Sequence, residues 1–267
     1  MNRQSAQKEV ETKSGQSAIT GYVSEIFCSI QGEGLYVGQR QVFFRTAGCS
    51  ATCYWCDTVA AKEEQRTCTI HGDTRHTLSN PLSFEQAFGQ LIDLHRQTVP
   101  AAVSLTGGEP LEQADFVTEI ARGLHKRKIP VYLETSGLEV EGLIKIRPYV
   151  DVVAMDIKLP HATGRDHWET HRDFLKWLVG RNSFVKIVVD ATTPFEEIEA
   201  AVHLIAETDR GFPLVLQPES GTYLKNKMGA EGREALVGLL DRAQRLALES
   251  LLDVRVTPQC HKIMRVR

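Results

Sequence analysis

The chain has 267 residues, with 31 basic and 34 acidic side chains and a formal charge of −3. Hydrophobic residues make up 42% and charged ones 24%, ordinary globular values, and surface scaling lets a chain of this size hide roughly 73% of its unfolded surface. The balanced charge excludes the footprint of a nucleic-acid binder, and no apolar run approaches the ~18 residues of a membrane span, so neither nucleic acid nor membrane is expected as a partner.

In chain order, MNRQSAQKEVETKSGQSA has no apolar core. It is no secretory signal, and residues 1–20 read as a disordered leader to a single domain over 21–267. Strand-like runs follow at QVFFRTA (41–47), AVSLTG (102–107), VYLETSG (131–137), DVVAMDIK (151–158), SFVKIVVD (183–190), PLVLQPES (213–220) and DVRVTP (253–258). Helix-like segments lie between them. Ser83 is placed to cap FEQAFGQLIDLHRQ, whose Phe84, Ala87, Phe88, Leu91 and Leu94 share one face. Similar patterns cover 112–127, 167–180, 194–208 and 231–249. The polar, aperiodic stretch 57–82, with Cys68, His71 and His76, reads as a long loop or small insertion. Apolar strands alternating with helices predict an α/β fold with a helix-covered parallel sheet, and six or seven such units suggest a partial (β/α)6-type barrel. An open doubly wound sheet would read much the same, but no GxGxxG follows the first strand. In parallel barrels chemistry collects at the carboxyl ends of the strands, where the unusual residues here sit.

Six cysteines occur, at 28, 49, 53, 56, 68 and 260. Three crowd into eight residues with no secretory signal, which favours metal binding in a reducing cytoplasm over disulfides. Cys49, Cys53 and Cys56 form C-x3-C-x2-C directly after QVFFRTAG. Three thiolates on one loop suit a [4Fe–4S] cluster with one iron left open for a small molecule. The rival is a structural zinc held by Cys53, Cys56, Cys68 and His71, which leaves Cys49 unused. Cys28 and Cys260 read as small buried residues.

The C-x3-C-x2-C motif and Thr106-Gly107-Gly108-Glu109-Pro110, about fifty residues beyond Cys56, resemble the radical S-adenosylmethionine (SAM) superfamily. More narrowly, Ser29-Ile30-Gln31-Gly32-Glu33-Gly34, Phe44-Arg45-Thr46-Ala47-Gly48-Cys49, Cys53-Tyr54-Trp55-Cys56-Asp57-Thr58 and Pro258-Gln259-Cys260-His261-Lys262 resemble the 7-carboxy-7-deazaguanine synthase family of queuosine and deazapurine biosynthesis. Weaker agreement runs through Leu133–Gly137, Asp156–Lys158 and Gln217–Glu219. The resemblance implies a lyase that converts 6-carboxy-5,6,7,8-tetrahydropterin into 7-carboxy-7-deazaguanine with loss of ammonia. It implies a [4Fe–4S] cluster, SAM and Mg²⁺, an external electron donor such as flavodoxin, and a homodimer. A glycyl-radical-type activating enzyme acting on a protein would share the cluster motif and GGEP. It leaves Arg45, SIQGEG and the terminal PQCHK unexplained. A zinc-stabilised interaction module is the non-enzymatic alternative.

Residue by residue, the resemblance places Cys49, Cys53 and Cys56 on the cluster and Thr58 on Mg²⁺. Ile30, Gln31, Gly32, Glu33, Arg45, Thr106, Glu134, His261 and Arg267 fall on the substrate side. Arg45 there clamps the pterin carboxylate with its planar fork. Trp55, Cys56, Asp57, Gly107, Gly108, Glu109, Ser136, Asp156, Ile157, Lys158, Gln217, Pro218, Glu219 and Ser220 fall on the SAM side. The tail is expected to close over the site with the carboxylate of Arg267 toward the pterin, and apolar Ile263, Met264 and Val266 argue against a frayed end.

Overall fold

Alternating side chains decide the architecture. In the strand Ser183–Val189, Val185, Ile187 and Val189 join the main hydrophobic core, whereas Phe184, Lys186 and Val188 line a cavity. Its neighbours obey the same period of two, so a single sheet has helices on one face and the cavity on the other.

In the computed structural model the described residues are 19–221 and 229–267. The strands are β1 (Thr20–Gly21), β2 (Val23–Ile30), β3 (Arg40–Thr46), β4 (Thr67–His71), β5 (Arg75–Ser79), β6 (Leu82–Ser83), β7 (Ala102–Gly107), β8 (Val131–Thr135), β9 (Val152–Ile157), β10 (Ser183–Val189), β11 (Leu214–Pro218) and β12 (Val254–Val256). Ten of them form one sheet in the order β12-β11-β10-β9-β8-β7-β3-β2-β4-β5, and β1 pairs with β6. From β3 to β12 all neighbours are parallel, while β2 is antiparallel to β3. The expected helix-covered parallel sheet is present.

Helices α1 (Phe84–Thr98), α2 (Ala114–Lys126), α3 (Val140–Ile146), α4 (Pro160–Thr163), α5 (Trp168–Lys176), α6 (Phe195–Thr208), α7 (Gly229–Ser250) and α8 (Cys260–Met264) complete the fold. Ser83 caps α1 reciprocally with Gln86, and Ala87, Phe88, Leu91, Ile92 and Leu94 of α1 are buried. Each parallel strand is covered this way because its outward apolar side chains must leave water.

Three expectations change. The stretch 57–82 is not a plain loop: β4 and β5 form a hairpin whose β4 pairs with β2, extending the sheet. Alternation there is hidden because β5 is exposed along most of its length. The boundary of the leader moves, since Thr20 and Gly21 pair with Ser83 and Leu82; residues 1–18 lie outside the described residues. Cys28 and Cys260 are half-buried rather than buried. Among the described residues no helix is long and apolar enough to cross a membrane.

Candidate active site

At the carboxyl ends of the parallel strands lies a cavity of about 470 Å³, within the range of small-molecule sites. Two parts of the chain build it, a loop and a wall.

The loop leaves β3 through Gly48 and carries Cys49, Cys53 and Cys56, all lining the cavity and all unpaired thiols. The GGEP turn holds it from behind. A Cβ at Gly108 would stand 2.0 Å from the Gly48 carbonyl oxygen, so glycine lets the turn reach the loop, and the Glu109 N–H donates to that oxygen at 2.9 Å. Further along, the Tyr54 N–H donates to Ala162 O and the Thr52 hydroxyl to Thr163 O. Tyr54 also donates to Asp190 and meets His161 at 3.0 Å. Burial pushes the Cys49 thiol up to about 11 and raises Cys53, so these thiolates need a bound cation. Among the described residues only Glu33, Asp57 and His261 bring three ligand atoms within 4.8 Å of one another. A single zinc would draw its sulfurs to about 3.8 Å apart, and the three loop thiols do not all lie within 4.8 Å of one another. The four-ligand zinc grouping does not assemble: Cys68 is wholly buried in the core behind the sheet, and His71 pairs with Glu25.

The wall is a paired polar layer. Glu134 on β8 accepts from Gln31 at 2.8 Å, from Thr106 on β7 at 2.8 Å and from Ser104 at 3.4 Å. Glu33 is paired with Lys186 on β10, and Gln259 donates to both Glu33 and Asp57. Lys186 also lies 3.5 Å from Asp156, which binds Lys158 at 2.8 Å. Burial works to raise Glu33, yet Lys186 and the Gln259 hydrogen bond hold its carboxyl well below the usual range. Burial and the nearby Glu33 oppose ionisation of Asp57, but Lys262 at 2.9 Å and Gln259 keep it low. Burial likewise works against the Lys158 and Lys186 ammonium groups, and their acidic neighbours raise both.

Most of the expected residues meet here. Ile30, Gln31, Gly32, Glu33, Arg45, Thr106, Glu134, His261 and Arg267 all line the cavity, as do Trp55, Cys56, Asp57, Thr58, Gly107, Gly108, Glu109, Ser136, Asp156, Lys158, Gln217 and Glu219. Gly32 is needed for the approach of the tail, since a Cβ there would stand 2.2 Å from His261 Nδ1. Three residues do not line it. Ile157 points into the helix-side core because it is one residue out of phase with Asp156, and Pro218 and Ser220 are buried off the cavity. Glu109 lines the cavity, but both its oxygens are occupied by Leu111 N–H, Thr135 and Ser136. It braces β8 against the GGEP turn.

The tail returns to the cavity as expected, for a different reason. Ile263, Met264 and Val266 are exposed, and polar contacts hold the segment: Cys260 N–H to Gly32 O at 2.8 Å, Lys262 to Asp57, and Ser29 to Arg267 O at 2.6 Å. The last contact takes one oxygen of the Arg267 terminal carboxylate, the group that was expected to face the pterin.

Lys186, Gln259, Tyr132 and Glu25 also line the cavity and were missed from sequence. Lys186 left a signal, a lone lysine in the otherwise apolar SFVKIVV of β10.

Two unpartnered buried oxygens, Asp156 Oδ1 and Gln217 Oε1, belong to cavity-lining residues on the SAM side. Such acceptors suit the hydroxyl or amine donors of a bound nucleoside, and the loop thiols suit iron, so the residues present fit the cofactors.

Comparison with known proteins agrees. Residues 43–205 match the Radical SAM superfamily. The 7-carboxy-7-deazaguanine synthase of Geobacter sulfurreducens is 36% identical over 250 residues, covering 91% of this chain and 96% of that one. The same-named protein of Archaeoglobus fulgidus is 34% identical over 249 residues, covering 91% and 97%. Among solved structures, QueE from Escherichia coli shares the fold with a TM-score of 0.59 at 21% identity, covering 91% of this chain and 95% of that one. This chain therefore belongs to the radical SAM superfamily and, within it, to the 7-carboxy-7-deazaguanine synthase family.

Proposed function

We infer that this chain is a radical SAM lyase converting 6-carboxy-5,6,7,8-tetrahydropterin into 7-carboxy-7-deazaguanine with loss of ammonia. Its cofactors are a [4Fe–4S] cluster, SAM and Mg²⁺. The observation that carries the reading is the Gln31–Glu134–Thr106 array opposite the three-cysteine loop in one cavity. A half-buried carboxylate held by an amide and a hydroxyl is an acceptor for the N–H edge of a pterin.

Cys49, Cys53 and Cys56 would hold the cluster, which would supply the electron for reductive cleavage of SAM when both are bound. Asp156, Lys158, Gln217, Glu219 and Ser136 would seat SAM, the GGEP backbone would meet its amino-acid end, and Trp55 would cover its base. Glu134, Gln31 and Glu33 orient the pterin, and Arg45 takes its carboxylate. Thr58, whose hydroxyl lies 3.7 Å from Cys56 Sγ, offers Mg²⁺ a hard oxygen beside Asp57. His261 and the tail shield the cavity from water, which protects a reactive intermediate.

An external electron donor such as flavodoxin reaches the cluster past exposed Tyr54. Exposed Val237, Leu248 and Leu252 support a homodimer. Six unpaired cysteines support a cytoplasmic site of action. The activating-enzyme reading loses ground because the C-terminal segment crosses a cavity sized for small molecules rather than a polypeptide.

The test is anaerobic incubation of the reconstituted protein with the carboxytetrahydropterin, SAM, Mg²⁺ and reductant, followed by mass spectrometry. Product at the mass of 7-carboxy-7-deazaguanine, with one ammonia per product, is expected. A brown protein that cleaves SAM and leaves the pterin intact would overturn the substrate assignment, and a colourless zinc protein would overturn the whole reading.

A further inference from the structure

Glu25 lies on β2, outside every motif singled out above, yet three parts of the chain converge on its carboxylate. Its Oε1 accepts from Arg45 Nε at 3.1 Å. Its Oε2 accepts from the Arg267 guanidinium at the chain's end and lies 3.3 Å from His71 Nε2. His71 comes from β4, the hairpin that the sequence left without a role. The ring of Phe27, two residues along β2, forms the base of the group. It stacks on Phe43 with centroids 5.0 Å apart, and the Arg45 and Arg267 guanidinium carbons lie 5.5 and 5.7 Å from its centroid. Glu25, Phe27, Phe43, Arg45 and Arg267 all line the cavity.

Arg45 is held by Nε alone. Among the described residues nothing else bonds its guanidinium, so the two terminal nitrogens, the pair suited to bidentate capture of a carboxylate, remain available. Burial and the neighbouring Arg267 keep His71 below its ordinary range despite Glu25.

We propose that Glu25 is a positioning residue that aims Arg45 and Arg267 over Phe27 as a two-armed clamp for the one carboxylate of the substrate. The inference rests on the reading of Arg45 as the carboxylate ligand. It gives the hairpin a task, because His71 holds Glu25 on the side away from Arg45.

The experiment measures equilibrium binding of 6-carboxypterin and of unsubstituted pterin to the cluster-loaded protein, wild type and Glu25→Gln. Wild type should prefer 6-carboxypterin, and Glu25→Gln should lose about tenfold of that preference, the effect of one misdirected charge-assisted contact. Pterin affinity and iron content should not change. With the true substrate, KM should rise while kcat holds, and Glu25→Asp should restore part of the preference. Simple electrostatics predicts the opposite for Glu25→Gln, since removing a negative charge favours an anion, so an unchanged or increased preference overturns the proposal. Equal weakening of both probes overturns it too, by showing a purely structural role. If Arg45→Lys keeps the full preference, the assignment of Arg45 itself has failed, an outcome distinct from failure at Glu25 alone.

Discussion

The cysteine loop and the facing wall share one cavity and are built by opposite rules. Along the wall, Glu33, Lys186, Asp156 and Lys158 alternate in sign and are paired, and Glu134 already accepts three donors. In the loop, the Cys49 and Cys53 thiols are raised by burial, and the segment is fixed mainly through backbone contacts to the GGEP turn and to α4. The wall therefore stands prebuilt for its ligand, whereas the loop is completed by its ligand. A planar substrate gains from preorganised partners because no protein group must be reoriented on binding. A metal cluster needs no such preparation, since iron–thiolate bonds set their own geometry.

The largest effect that separates the two regions is expected at the thiols. Cys53→Ala should abolish iron retention and all turnover. Cys68→Ala should keep full iron and lose only about 1 kcal/mol of stability, for a small void behind the sheet. Equal iron loss in both variants, read by iron assay, would break the distinction.

On the wall side the contrast sharpens with pH. His171 is wholly buried and touches Ser136 O at 3.2 Å and Lys158 N at 3.4 Å. Burial lowers it from 6.5 to about 4. Below pH 6.5 the unfolded chain takes up a proton that the folded chain refuses, so stability should fall between about pH 6.5 and 4, by about 3 kcal/mol. Urea midpoints against pH should show a flatter slope for His171→Gln than for wild type. Parallel curves would remove His171 as the cause.

Arg45→Lys keeps the charge and loses the fork, so it should cost about 1–3 kcal/mol of substrate binding, an increase in KM of roughly fivefold to 150-fold. Uncoupled SAM cleavage should stay near the wild-type rate, because the loop is untouched. A loss of SAM cleavage as large as the rise in KM would erase the boundary between the regions. The smallest effect is expected where they meet. Thr58→Ala should weaken the response to added Mg²⁺ several-fold and Thr58→Ser should keep most of it, serine retaining the hard oxygen. Identical magnesium titrations would leave Thr58 only a packing role.

How far each region was legible follows from the same difference. The loop was readable because its chemistry is local: three cysteines within eight residues need no fold to be noticed. The parallel strands were readable too, since β7 falls on the expected run and β3, β8, β9 and β10 end within two residues of theirs. The wall was harder because its pairs join distant segments. Gln31 and Glu134 are 103 positions apart and Ser29 and Arg267 are 238 apart. Lys186 announced itself only as a charge in an apolar strand, and Glu25 gave no local signal. Ile157 was misassigned because a motif carries three adjacent residues while a strand turns only alternate ones inward. The hairpin escaped because β5, with four of its five residues exposed, shows no alternation.

The most direct measurement compares hydrogen exchange of the cluster-free and cluster-loaded protein, residue by residue. Amides of the loop from Gly48 to Lys62 should gain strong protection on loading. Those of Gln31, Glu33, Thr106 and Glu134 should already be protected without the cluster and change little. If the wall amides exchanged as freely as the loop in the cluster-free protein, and both became protected together on loading, the wall would not be prebuilt and the account would be wrong.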